Sequence, residues 1–114
     1  MLSVAASAKI FLRLPPTDMR QSFDGLSGLV RSALGQDPRD GSWFLFVNKR
    51  RDRVKILYWD RDGLALWAKR LESGTFETFP ADGDATTREI DATQLAMLLG
   101  GVRLDAARRK RFAS

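Results

Sequence analysis

The sequence predicts an α+β protein: an antiparallel β-meander of three to five strands, with one long helix packed on it and a short C-terminal helix. Two observations support this fold class. Three runs rich in β-branched, aromatic and aliphatic residues, at 43–47, 54–59 and 64–68, are separated by short polar turns. Ahead of them, apolar residues recur at spacings of three and four between positions 19 and 33, the spacing of one helix face. A helix laid across one face of a sheet is the expected arrangement.

The first half of the chain is predicted to contain a strand and the long helix. Residues 9–14 have the pattern of a strand, which the two prolines at 15 and 16 end because proline donates no ladder hydrogen bond. Thr17 is the expected N-cap of a helix over 17–34, with Gly35 closing it. The expected core combines residues from this helix, the central strand and the last helix: Phe23, Leu26, Val30, Ile56 and Leu98.

The second half is predicted to form the meander and the short helix. If Arg53 opens the second strand of the meander, the five residues 48–52 join it to the first, a length suited to a hairpin. Residues 75–79 are a candidate fourth strand, and 80–88 are expected to be a loop. A helix over 94–99 is capped by Asp91 or Thr93 and ends at Gly100. We expect one domain over 1–104 and a basic tail over 105–114.

Residue composition restricts the chemistry that the chain can perform. Its 114 residues include no Cys and no His, which excludes disulfides, thiolate zinc sites and imidazole acid–base catalysis. Carboxylates for a two-metal site exist, but in so short a chain they are interpreted as caps and turn formers. We therefore expect no catalytic residue, no metal and no cofactor. No apolar run approaches the length of a membrane span, the N-terminus is a poor signal peptide, and a cytoplasmic location is expected.

The positive charge is concentrated in two places. The net charge is +5, yet positions 49–55 alone carry five cations against one carboxylate, a local charge of +4. Residues 101–114 carry five more cations against one carboxylate, again +4. The remainder of the chain is therefore at −3. Local clusters of cations attract polyanions and steer their association.

Six aromatic residues on neighbouring strands make both faces of the predicted sheet apolar: Trp43, Phe44, Phe46, Tyr58, Trp59 and Trp67. Alternation sends Trp43, Leu45 and Val47 to one face and Phe44 and Phe46 to the other. One helix does not cover both faces. A stacking platform for unpaired bases is one interpretation. A core combined with a dimer or partner interface is the favoured one, since exposed apolar patches usually mark protein partners.

Four blocks of sequence resemble a known family. They are 17–20 with 23–26, then 54–60 with 62–64, then 69–72 with Gly74, and finally 94–99. In this order and spacing the chain is similar to the TnpB accessory proteins of the IS-sixty-six family of bacterial insertion sequences, over about positions 9–104. The hairpin tip departs from that pattern, because residues 48–51 contain none of the glycines usual there. The resemblance implies a protein that assists a transposase and implies no catalytic residue.

These observations lead to a functional hypothesis with two forms. In the first, the chain is a non-catalytic accessory factor for DNA transposition that binds the element ends, the cognate transposase or both. In the second, it is a protein-interaction adaptor that uses an apolar sheet face and binds no nucleic acid. No membrane partner is expected, and a homodimer is left open. The candidate nucleic-acid contacts are the cations of the two basic clusters: Lys49, Arg50, Arg51, Arg53, Lys55, Arg108, Arg109, Lys110 and Arg111. The alternative for each cluster is a solvated turn or a solubilising tail.

Overall fold

A five-stranded sheet forms the centre of the protein. The structure is a computed structural model that describes residues 8–77, 79 and 83–100. The strands and helices, in chain order, are β1 (Ile10–Arg13), α1 (Phe23–Ser32), β2 (Trp43–Val47), β3 (Arg53–Asp60), β4 (Gly63–Arg70), β5 (Thr87–Ile90) and α2 (Ala92–Leu99). The α+β class and the meander of β2, β3 and β4 are thereby confirmed, and so is the short helix α2.

The sheet is mixed, so the prediction of a purely antiparallel sheet was wrong. The strand order is β4-β3-β2-β1-β5. The hairpins β2–β3 and β3–β4 are antiparallel, as is the pair β1–β5, but β1 runs parallel to β2. The reason lies in the connection: α1 carries the chain back along the sheet between β1 and β2, and such a crossover places the next strand parallel to the first.

Both faces of β2 are buried, and each packs in a core that includes residues of a different helix. On one face Trp43, Leu45 and Val47 pack in a core that includes Leu95 and Leu98 of α2. On the other, Phe44 and Phe46 pack with Leu26 and Val30 of α1. The alternation predicted for this strand is therefore present. The second apolar face is covered by α2 and by Phe76, whose side chain is also buried there.

Helix α1 is short, so the prediction of one long helix over 17–34 was wrong. It begins after Ser22, which makes no side-chain cap bond, and Thr17 is not its N-cap. The Asp18 carboxylate accepts hydrogen bonds from the backbone N–H and the guanidinium of Arg20, which forms a tight local turn. In addition, the Lys55 ammonium donates to the carbonyl oxygens of Met19 and Gln21, at 2.8 and 2.7 Å. The Met19 carbonyl, which a continuous helix would pair with the N–H of residue 23, bonds the lysine instead.

Three smaller predictions had different outcomes. Leu26, Val30, Ile56 and Leu98 are buried as predicted, but Phe23 lies at the first position of α1 with 43% of its surface exposed. Residues 75–77 and 79 form no strand, and the strand β5 lies instead within and beyond the segment predicted as a loop. Helix α2 has Asp91 as its N-cap, in a reciprocal capping box with Gln94.

The different burial of Ile56 and Phe23 predicts different effects of truncation on stability. Ile56→Ala should lower the free energy of unfolding by about 2–5 kcal/mol, because it opens a cavity in a fully buried core. Phe23→Ala should change it by only about 0.5 kcal/mol, the range of surface substitutions. Urea denaturation of both variants tests this. Equal losses in the two proteins would contradict the positions assigned to these side chains.

Candidate nucleic-acid interface

The connection between β2 and β3, residues 48–52, is a closed and well-bonded hairpin tip. The Asn48 N–H donates to the Arg53 carbonyl, and the Arg51 N–H donates to the Asn48 carbonyl. The Asn48 side-chain oxygen accepts from the backbone N–H groups of Asp52 and Arg53, both at 3.0 Å. Its amide nitrogen donates to the Asp52 carboxylate at 2.7 Å. One asparagine therefore fixes the tip from its inner side.

The tip is also held from outside by the segment that follows β4. The Leu71 N–H donates to the Asp52 carbonyl at 2.8 Å, and the Phe76 N–H donates to the Arg51 carbonyl at 2.6 Å. Phe76 itself is buried in the core beneath. The tip is thus packed against a neighbouring segment along part of its length, which leaves its backbone little freedom.

Four of the predicted cations lie exposed at this tip: Lys49, Arg50, Arg51 and Arg53. Residues 16–19, 48–50, 52 and 53 line an open groove with a volume of about 470 Å³, and Arg51 lies at the tip outside that lining. Two carboxylates line the groove as well, and both are engaged within the chain. Hydrogen bonds from Arg20 lower the pKa of Asp18 to about 2, and the Asn48 side chain is the main cause of a lowered pKa at Asp52. The exposed tip cations form no ion pair with a carboxylate in the part of the chain that the structure describes.

Arg51 adopts an unusual backbone conformation, with φ at 59°. The left-handed region is unfavourable for a residue that has a Cβ and favours glycine. Arg61, in the turn between β3 and β4, has the same conformation with φ at 60°. The absence of glycine at the tip, visible in the sequence, therefore has a cost in the structure.

Lys55 has a different environment from the other predicted contacts. It is half-buried, and its ammonium is bonded to the two carbonyl oxygens of the segment before α1. Its charge adds to the local positive potential, but two of its three N–H donors already have partners. Lys55 therefore holds the approach to α1 against the sheet.

The pairing of β3 with β4 brings two further cations to this end of the sheet. Arg70 lies directly opposite Arg53, and Lys69 lies opposite Val54. A second groove, lined in part by Arg53, Lys55, Lys69 and Arg70, adjoins the first. Arg70 and Lys69 were not among the predicted contacts. The signal was available in the turn 60–63, since counting outward along the two strands from Asp60 and Gly63 pairs 53 with 70.

Most of the remaining candidates lie either outside the described residues or in the cores. Arg108, Arg109, Lys110 and Arg111 lie outside the described residues. Trp43, Phe44 and Phe46 are buried in the two cores and cannot stack on bases, whereas Tyr58, Trp59 and Trp67 are partly exposed. Within residues 8–77, 79 and 83–100 there is no cluster of three or more side chains suited to hold a metal ion. No helix in that part of the chain is long and apolar enough to cross a membrane.

The fold and this surface define a small basic α+β protein with a rigid cationic hairpin. The chain belongs to the IS66 Orf2-like protein family, whose model matches residues 8–109. That membership confirms the resemblance noted in the sequence and associates the protein with insertion-sequence transposition.

Two curated relatives extend over nearly the whole chain. Both come from Sinorhizobium fredii and are described as uncharacterized proteins, y4jC and y4hO. The first is 36% identical over 110 residues, covering 96% of this chain and 92% of its own length. The second is 32% identical over 102 residues, covering 90% and 87%. No solved structure gives a significant match.

The hydrogen bonds of Asn48 predict a linked change in tip stability and in the pKa of Asp52. Asn48→Ala removes the acceptor of two backbone N–H groups, those of Asp52 and Arg53. The free energy of unfolding, measured by urea denaturation at pH 7, should fall by about 1–2 kcal/mol. The pKa of Asp52 should rise towards its ordinary value, because its main cause of lowering is removed. Carboxyl titration by NMR measures this shift.

The sign of the pH effect follows from the lowered pKa. The bond to ionised Asp52 stabilises the fold above the ordinary pKa of 3.8 and is lost as pH falls through the lower folded pKa. The Asn48–Asp52 bond should therefore contribute nothing, in acid, to the difference in free energy of unfolding between wild type and Asn48→Ala. Asp37, whose pKa is lowered by the Arg39 backbone N–H, is the internal control. An unchanged Asp52 titration in the variant would contradict the proposed cause.

Proposed function

We propose that this protein is a non-catalytic accessory factor of insertion-sequence transposition that binds the phosphate backbone of DNA through its hairpin tip. One observation carries the proposal. Four exposed cations, Lys49, Arg50, Arg51 and Arg53, surround a tip whose own carboxylate, Asp52, is bonded to Asn48. Guanidinium groups match the geometry of phosphate oxygens, so such a tip is suited to a polyanionic backbone.

The bonding of the tip supports binding in a second way. A fixed backbone loses little conformational freedom when a ligand binds, so more of the interaction energy appears as affinity. The three hydrogen bonds of the Asn48 side chain and the two from Leu71 and Phe76 provide this fixation. Contacts from such a tip go to phosphates, so we expect affinity to depend weakly on base sequence.

The conformation of Arg51 also favours a function for its side chain. A left-handed backbone at a residue other than glycine lowers stability. Arg61 has the same conformation, so what distinguishes Arg51 is its place among the other exposed cations of the tip. Glycine would fit this position without strain, yet would supply no cation. An arginine here is consistent with a charge needed for binding.

The adaptor hypothesis has weaker support. It requires an open apolar sheet face, and the residues of β2 on both faces are buried beneath α1 and α2. Binding to the transposase remains part of the proposal, since an accessory factor can contact both the element ends and the transposase. A pull-down with the neighbouring transposase, with and without terminal DNA, separates the two contacts.

Removal of the tip arginines should weaken DNA binding and its dependence on salt. For Arg50→Ala/Arg51→Ala/Arg53→Ala, the slope of log affinity against log salt on duplex DNA should fall by about 0.9 for each phosphate that the variant no longer neutralises. Filter binding or gel shift across a salt series measures the slope. The matched control is Arg31→Ala/Arg39→Ala/Arg61→Ala, which removes three exposed arginines that line neither groove.

The two triple variants have distinct outcomes. A decrease in affinity confined to the tip variant supports the proposal. An equal decrease in both variants would mean that only total charge matters and would contradict a defined site. If the wild-type protein binds no DNA at any salt concentration, the adaptor hypothesis replaces this one.

Glycine at Arg51 should separate stability from binding. Arg51→Gly should raise the free energy of unfolding by about 0.5–1 kcal/mol, because the strain of the left-handed backbone is relieved. The same variant should weaken DNA binding. Arg61→Gly is the matched control, since it removes one exposed arginine at nearly the same φ from the other turn. It should be stabilised equally and should bind DNA as wild type does. A stabilised Arg51→Gly with unchanged DNA affinity would remove Arg51 from the site.

A further inference from the structure

The second groove, beside the hairpin tip, has a strongly one-sided charge. It is lined by Met19, Val54 and Ala68 together with four cations: Arg53, Lys55, Lys69 and Arg70. Its lining includes no carboxylate, whereas the first groove includes Asp18 and Asp52. The second groove is therefore the more positive of the two, with a volume of about 380 Å³.

Two of these cations lie opposite each other on neighbouring strands. Arg53 opens β3, Arg70 closes β4, and the register pairs them directly. Directly opposed residues share a face of the sheet with Cβ atoms about 5 Å apart. The alternation from Leu57 and Leu66, which pack with the α1 core, puts both arginines on the α1 face. Like charges in this arrangement repel and destabilise the sheet unless an anion lies between them.

No carboxylate of the described residues forms a salt bridge with either arginine. Both arginines are exposed, and neither forms an ion pair within the described ranges, where the bridges are Arg20–Asp18 and Arg39–Asp37. Lys55 adds a third positive charge beside them, fixed in place by its bonds to two carbonyl oxygens. The pair is therefore open to an external anion.

We infer that Arg53 and Arg70 together bind one phosphate group, which on the proposed function is a phosphate of the DNA backbone. Two guanidinium groups on adjacent strands can donate to different oxygens of the same phosphate, which relieves their mutual repulsion. The two grooves share Met19 and Arg53, so this phosphate lies next to those held by the tip. Arg70 thereby becomes a DNA contact, and the interface extends from the tip onto the β3–β4 face.

A double-mutant cycle on duplex DNA tests the shared phosphate. Arg70→Ala should weaken affinity roughly tenfold at low salt, as expected when a charge-assisted hydrogen bond is removed, and should reduce the salt slope. Arg53→Ala/Arg70→Ala should be little weaker than either single variant, because each single change already breaks the joint site. Arg31→Ala, an exposed arginine in the last turn of α1, is the charge control and should bind nearly as wild type does.

A second measurement does not depend on DNA. Inorganic pyrophosphate should raise the thermal unfolding midpoint of the wild-type protein above that in sodium chloride of equal ionic strength, and Arg70→Ala should not show this increase. Without any anion, Arg70→Ala should unfold no earlier than wild type at low salt, because a like-charge pair is removed.

The outcomes distinguish this inference from the proposed function. If the tip triple variant fails to bind DNA while Arg70→Ala binds normally, the shared phosphate site is wrong and the proposed function stands. If the effects of the two single changes multiply in the double variant, the two arginines hold separate phosphates and the sharing is wrong. If no DNA binds but pyrophosphate stabilises wild type and not Arg70→Ala, the phosphate site stands and DNA is not its ligand. No stabilisation and no effect of Arg70→Ala would overturn the inference.

Discussion

The burial of β2 on both faces is the constraint on which the rest of the structure depends. All five residues of this strand are large or branched apolar residues, and all are buried. A strand of this kind must lie between two layers, so the chain needs one helix for each face. Helix α1 covers Phe44 and Phe46, and α2 covers Trp43, Leu45 and Val47 with the help of Phe76. The same strand leads directly into the tip, so the most firmly packed element of the sheet is also the one that supports the cationic surface.

Near this strand, some charged side chains are hydrogen-bonded within the protein and others are exposed without such bonds. Asp18 is bonded to Arg20, Asp52 to Asn48, and Lys55 to backbone carbonyls. These bonds fix the chain before α1 and the tip. Arg50, Arg51, Arg53 and Arg70 are left exposed, one in a strained backbone and two opposite each other. Local stability is thus reduced at the positions where cations are concentrated, a pattern that agrees with binding of an external anion.

Elements with strong local sequence signals were predicted correctly. Predictions were wrong where contacts between distant residues determine the structure. The β2 to β4 meander and α2 have clear alternation, turns and caps, and all were predicted. The N-terminal half of the long helix had suitable spacing, but the Lys55 bonds, from more than 30 positions away, draw Met19 and Gln21 out of it. Strand β5 has only Ile90 buried, so its polar pattern resembled a loop. For the candidate site, the tip cations were predicted from local charge density. Arg70 can be predicted as a contact only when the register of β3 and β4 is known. The contacts of Lys55 can be predicted only when the segment packed over it is known.

The position of β5 beside β1 affects how the chain can fold during its synthesis. Among the described strands β1 comes first in the chain, yet its second neighbour, β5, comes last. Until that segment and α2 emerge, β1 has one open edge and the face formed by Trp43, Leu45 and Val47 has no helix above it. Pairings between such distant segments form slowly and leave apolar surface and strand edges open to other chains meanwhile. A nascent chain is therefore expected to expose this edge and this apolar face until β5 and α2 have been synthesised.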